Sequence, residues 1–126
     1  MEDRPGTVRG WFDAMEREDD AGTLALMTPD VVFVPVRTAS RRVYHGHAGM
    51  AEFLAEIRRR HGHAGFVYAL ESVVETADGR TVSAGAFSEL GIEFVALHEF
   101  DATGRIATAR HYLATSVETL EQIGRV

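Results

Sequence analysis

Between residues 66 and 114 the chain holds four strand-length runs, 66–76, 80–89, 92–100 and 105–114. Only Asp78-Gly79, Leu90-Gly91 and the segment 101–104 part them. The runs are rich in β-branched and aromatic residues, and Asp-Gly is a strong short-range hairpin signal. Strands joined by links this short must fold back on one another, so an antiparallel arrangement is predicted.

The first half of the chain has the other period. Val8, Trp11, Phe12 and Met15 recur at helical spacing, with Asp13, Glu16 and Arg17 on the opposite face. The acidic run 16–20 ends this helix. Asp20 is predicted to cap a second, short one that carries Leu24, Ala25 and Met27. Thr28-Pro29-Asp30 breaks it, and the apolar run 31–36 reads as a strand whose Pro35 marks an edge or a bulge. Residues 37–42 form a polar loop and Val43-Tyr44 a short strand. Residues 46–60 form a third helix that buries Met50, Phe53, Leu54 and Ile57 and is stopped by Gly62 and Gly65. A short helix over 117–123 closes the chain. Segregated helices and hairpin-linked strands predict an α+β fold: three helices in the N-terminal half pack on a curved antiparallel sheet, with a short C-terminal helix.

At 126 residues, residues 1–126 are expected to be one domain, since domains commonly hold ~100–200. The apolar fraction of 45% supplies a sizeable core. A formal charge of −6 argues against nucleic acid and against an anionic membrane surface as partners. No apolar run approaches the ~20 residues of a membrane span, and residues 1–10 lack the apolar stretch of a signal peptide, so a cytoplasmic protein is expected. Without Cys there is no thiolate chemistry, and without Lys there is no Schiff base. No phosphate loop or nucleophile elbow is present.

Several pieces, in this order and spacing, carry a family resemblance: Trp11-Phe12, 26–33 (LMTPDVVF), 44–53 (YHGHAGMAEF), Gly104-Arg105-Ile106 with Arg110-His111-Tyr112, and 120–124 (LEQIG). The chain resembles the nuclear-transport-factor-2-like, cystatin-like cone fold, and within it the SnoaL-like polyketide-cyclase and ketosteroid-isomerase group. The resemblance implies a cone whose sheet wraps a pocket closed by helices. Ketosteroid isomerases use an Asp base with a Tyr and a protonated Asp as oxyanion donors. On this chain those places are filled by Val34 or Pro35, by Trp11 and by Ala96. The Trp-Arg-Asp-Tyr segment of limonene-epoxide hydrolases falls on 109–112, where His111 replaces the Asp.

His111 is the leading candidate for chemistry. Ala107, Ala109, His111 and Leu113 share one face of their strand, which family position turns inward, and the two alanines leave room beside the ring. A neutral imidazole in an apolar pocket can accept a proton without a cofactor. The alternative is a core histidine satisfied by a backbone carbonyl. His98 shares a face with Phe94, Ala96 and Phe100. A four-residue turn pairs it with Ala107, about four residues from His111, or roughly 13 Å at ~3.4 Å per residue. That spacing gives His98 a packing role. Trp11 either packs as core or aims its indole N–H, a donor only, into the pocket. His45-Gly46-His47 and His61-Gly62-His63 flank a helix of ~14 residues, some 20 Å apart, too far for one four-ligand site. Arg58–Arg60 with Glu52 and Glu56 reads as a solvated helix end.

The expected site therefore has His111 and Trp11 as catalytic residues. Met15, Phe33, Tyr44, Phe53, Phe94, Ala96, His98, Ala109 and Leu113 line the pocket, and no metal or other cofactor is expected. The expected ligand is a small hydrophobic molecule. Val95, Leu97 and Tyr112 on the outer sheet face predict a homodimer through that convex face. Three functions remain open. One is cofactor-independent acid/base chemistry on a carbonyl compound (isomerisation, cyclisation or dehydration), with Trp11 steadying the enolate. The second is a non-catalytic binding module, and the third is a dimerisation domain with a filled cone.

Overall fold

The computed structural model describes residues 3–35, 42–87 and 92–113. The expected helix over 117–123, the turn at Leu90-Gly91 and most of the 37–42 loop lie outside the described residues. Helix α1 spans Arg4–Glu16. Asp3 caps it by accepting from the Gly6 N–H at 2.9 Å, and Pro5 sits in the first turn, where its missing N–H costs nothing. Its buried face is Val8, Trp11, Phe12, Ala14 and Met15, following the predicted stripe. Helix α2 spans Asp20–Ala25 and is capped one residue earlier than predicted, by Asp19, which accepts from the Gly22 N–H.

Strand β1 is Met27–Val34, so it starts four residues before the predicted position and takes in Thr28-Pro29-Asp30. Turn-forming residues give way here to burial. Met27, Thr28 and Val31 are all buried, and the Pro29 region is accommodated by a register shift between Met27 and Val32. Strand β2 is Tyr44–His45, followed by α3, Gly46–His61, and a 3-10 turn, Gly62–Phe66. The long strands are β3 (Tyr68–Glu75), β4 (Thr81–Phe87), β5 (Ile92–Phe100) and β6 (Ile106–Leu113).

The six strands form one curved, unclosed sheet in the order β2-β1-β6-β5-β4-β3. Four of its five pairings are antiparallel, but β1 runs parallel to β6, which the hairpin argument did not predict. Hairpin reasoning reaches only neighbours in sequence. The β1–β6 pairing joins the two halves of the chain, with Phe33 opposite Ala109. Helices α1 and α3 pack on the inner face, where Trp11, Phe12, Phe33, Phe53 and Phe94 form the centre of the core. Arg58 fixes the corner of the helical layer: it donates to Glu18 and to Asp20, each at 2.8 Å, tying the end of α3 to the α1–α2 junction. Among the described residues, no helix is long and apolar enough to cross a membrane.

Candidate functional site

The position of the site follows from how β5 meets β6. The turn after Phe100 is held by Asp101, whose Oδ1 accepts from the Thr103 and Arg105 N–H groups, and by Gly104 at φ +84°, a left-handed conformation that glycine adopts without strain. Phe100 pairs with Ile106, one residue further than predicted. A bulge at Ala107 then adds a second residue, so that Glu99 meets Thr108 and His98 meets Ala109. A single slip would turn every side chain to the other face, whereas two slips restore the facing and move the partners two positions. His111 consequently lies opposite Ala96, diagonal to His98. The two ring centroids are 5.6 Å apart, which corrects the predicted separation.

His111 sits in an aromatic box. Phe12 and Phe94 stack on it at 5.8 and 5.9 Å, while Trp11 and Phe33 present edges at 5.6 and 5.2 Å. One side of this box opens on a hollow of about 10 Å³ lined by Phe33, Pro35, Phe53, Tyr68, Phe87, Phe94 and His111. That volume holds about one water, so the cone is largely filled by its own rings, and a larger molecule enters only if they swing aside. His111 and Tyr68 are the two lining side chains that carry polar atoms.

The expected lining residues divide into two layers. Phe33, Phe53, Phe94 and His111 face the hollow. Tyr44 is one layer out, packed against Phe53 at 5.4 Å and under the Arg42 guanidinium at 4.6 Å. Met15, Ala96, His98 and Ala109 are buried beneath the lining. Trp11 belongs with them: its indole is fully buried, 5.1 Å from His98 and 5.6 Å from His111, and backs onto the imidazoles instead of facing the hollow. Leu113 is corrected outright. It is 45% exposed at the end of β6, opposite Phe94, and outside the lining.

Pro35, Tyr68 and Phe87 were not anticipated. The signal was present in β4, whose buried residues alternate as Thr81, Ser83, Gly85 and Phe87. There the small and polar residues face inward and Val82, Ala84 and Ala86 outward, the inverse of the usual amphipathic reading. Gly85 is required by a close approach: a Cβ there would lie 2.4 Å from the Ala69 carbonyl oxygen, at the β3 bulge.

His98 is fully buried, and loss of solvent pushes its pKa down to about 3. The ring is therefore neutral at any ordinary pH. The other histidines do not converge. His47 Nε2 lies 3.0 Å from the Met27 carbonyl oxygen and His63 Nδ1 lies 3.0 Å from Glu18 Oε2. Among the described residues no group of three or more His, Asp and Glu is placed to hold a metal. Arg59 and Arg60 pair with Glu56, while Glu52 takes Arg42.

The profile of the SnoaL-like domain family matches residues 8–121. The chain belongs to this family. A search of curated proteins finds no match. Among solved structures, this SnoaL-like domain is similar to an NTF2-like protein of unknown function from Burkholderia pseudomallei. The TM-score is 0.69 and the identity 23%, covering 98% of this chain and 97% of that one. It is also similar to a candidate polyketide cyclase from Sinorhizobium meliloti, with a TM-score of 0.67 and 17% identity over 85% of this chain and 94% of the other. A third is Bal32a from a soil-derived mobile gene cassette, with a TM-score of 0.68 and 18% identity over 86% and 87%. At these identities the likeness establishes the NTF2-like, cystatin-like fold.

Proposed function

We propose that this SnoaL-like domain binds a small, uncharged, largely apolar carbonyl compound in the aromatic hollow and moves a proton on it without a cofactor. The observation that carries this reading is the lining itself: six apolar or aromatic residues and one imidazole, with the Tyr68 phenol as the second polar side chain. His111 takes the proton next to the carbonyl, as an imidazole can near neutral pH. Tyr68 replaces Trp11 as the donor that steadies the developing enolate, because the phenol lines the hollow and the indole does not. The reaction class is isomerisation, cyclisation or dehydration through an enolate.

A binding module without catalysis is the second reading, on the same apolar lining; the small volume of the hollow and the rings that fill it favour the third, a dimerisation domain with a filled cone, which expects no ligand to bind. Exchange of α-protons separates the first two. Cyclopentanone in D2O is followed by proton NMR with the native protein, His111→Gln and Tyr68→Phe. The catalytic reading expects exchange above buffer that falls at least tenfold in both variants. Binding of cyclopentanone with no exchange above buffer leaves the binding module.

The outer sheet face supports pairing of two copies. The apolar surface open to a second copy is at the β3–β4 side, where Val74, 59% exposed, lies in a cross-strand row with Val82; Leu97 and Tyr112, farther across that face, are already buried within one chain.

A further inference from the structure

Two strands of the sheet run on past the hollow at its open end. Phe87 and Phe94 line the hollow, and the residue opposite Phe87 on β5 is Ile92. His111 lines it too, and two residues further along β6 Leu113 stands opposite Phe94. Side chains two apart on a strand share a face, so Ile92 and Leu113 continue the inner face beyond Phe94 and His111. They are diagonal neighbours on adjoining strands, within reach of one another. Both are exposed, at 37% and 45%. Single exposed apolar residues are ordinary on a protein surface. These two stand side by side and are continuous with the lining of the hollow.

Behind His111 the inner face is closed. The ring centroids of His98 and Trp11 each lie 5.6 Å from that of His111, and both side chains are fully buried, as is Ala96 opposite His111. A molecule that places a reacting carbon beside His111 therefore has its remaining bulk directed toward the open end. The outward path is hydrocarbon. It passes Phe94 and reaches Leu113 and Ile92 about 7 Å further on, the rise of two strand residues. The charged residues of these strand ends point the other way: Glu93 and Arg110 alternate with Phe94 and His111 and fall on the outer face.

We infer that Ile92 and Leu113 form a rim subsite for an alkyl tail, so that the substrate class is a carbonyl compound whose reacting end enters the hollow and whose hydrocarbon chain leaves it along β5 and β6. This rests on the reading of the hollow as the ligand site. The rim contributes affinity and chain selectivity, while proton transfer stays with His111 and Tyr68. A short ketone leaves the rim wet, and a charged tail gains nothing from two aliphatic side chains.

The test compares cyclopentanone with 2-pentylcyclopentanone in the native protein and in Ile92→Ser/Leu113→Ser. Affinities come from NMR titration, with the Ile92 and Leu113 methyl resonances as local reporters and a urea midpoint as the check on folding. In the native protein the pentyl ketone is expected to bind about thirtyfold tighter, the fold-change for a five-carbon tail half withdrawn from water. It shifts both methyl reporters, and cyclopentanone shifts neither. In the variant that advantage shrinks at least about fivefold, with the affinity for cyclopentanone unchanged. Should the variant unfold, the native titration and its reporters decide alone. A pentyl ketone that binds no tighter than cyclopentanone, silent methyl reporters, or an advantage kept whole in the folded variant overturns the rim subsite and leaves the hollow standing. A native dimer that the two substitutions turn into a monomer in sedimentation gives the rim to a second copy and overturns it as well. If neither ketone binds, the reading of the hollow falls and the rim with it.

Discussion

A fully buried neutral histidine makes stability depend on pH in a calculable way. His98 has a folded-state pKa of about 3 against 6.5 for a free imidazole. Between those values the unfolded chain binds a proton that the folded chain refuses. Stability therefore falls as pH drops through 6.5 and goes on falling until about pH 3. From pH 7 to pH 5 the loss from this one group is about 2 kcal/mol. That is a large share of the ~5–15 kcal/mol that holds a domain together. Glu18, Glu56, Asp78 and Asp101 have pKa values lowered first by side-chain hydrogen bonds from Arg58, Arg59, Thr76 and Thr103 respectively. Each loses its contribution as pH falls through the carboxylate range, below this window. His98→Gln removes the titrating group and keeps every other one, His111 included. Urea unfolding followed by the fluorescence of Trp11, the single tryptophan, gives ΔG for both proteins at pH 7, 6 and 5. The expected outcome is a difference between them that narrows by about 2 kcal/mol across the range. Parallel curves would refute the reasoning, because they would mean that His98 takes up its proton as readily folded as unfolded.

Gly85→Ala should destabilise by about 1–3 kcal/mol, read as a lower urea midpoint with an unchanged slope, because the new methyl meets the Ala69 carbonyl at the β3 bulge. Wild-type stability in this variant would mean that the bulge relaxes freely. If two copies pair through the outer sheet face, Val95→Arg should convert a dimer to a monomer in sedimentation with little change in monomer folding, since Val95 points away from the core. A dimer that survives the substitution would place the contact elsewhere.

How much was legible depended on whether a feature is local. The amphipathic stripe of α1, the buried face of α3 and the span 92–100 of β5 follow from periodicity and turn residues, which act within a few positions. The start of β1 was misread because Thr28-Pro29-Asp30 has turn chemistry, and only the burial of Met27 and its pairing with Ile106 override it. The facing of His98 and His111 came out inward as expected even though their register was wrong, since the longer turn and the Ala107 bulge cancel in parity. The contact between them was not legible, because the bulge shifts the alternation at Ala107 and Thr108, small side chains that do not reveal which face they take. Tyr68 and Phe87 were hidden for another reason. In β4 the core side holds Thr81, Ser83 and Gly85, so a search for a hydrophobic face picks the wrong one.

The parallel seam between β1 and β6 has a consequence for how the molecule comes into being. On a ribosome, the amino-terminal helices and β1 emerge long before β6 exists. Until then β1 has only the two residues of β2 beside it, and an isolated two-stranded ribbon is marginal in water. The antiparallel strands β3 to β6 can zip in order as they appear, but the final closure joins residues far apart in sequence, Met27 with Ile106, and carries the entropic cost of so distant a contact. The aromatic side of α1 can be covered by β3 as soon as that strand appears, but the docking of β1 against β6 comes last, so the two halves of the sheet are joined only after every other strand has formed.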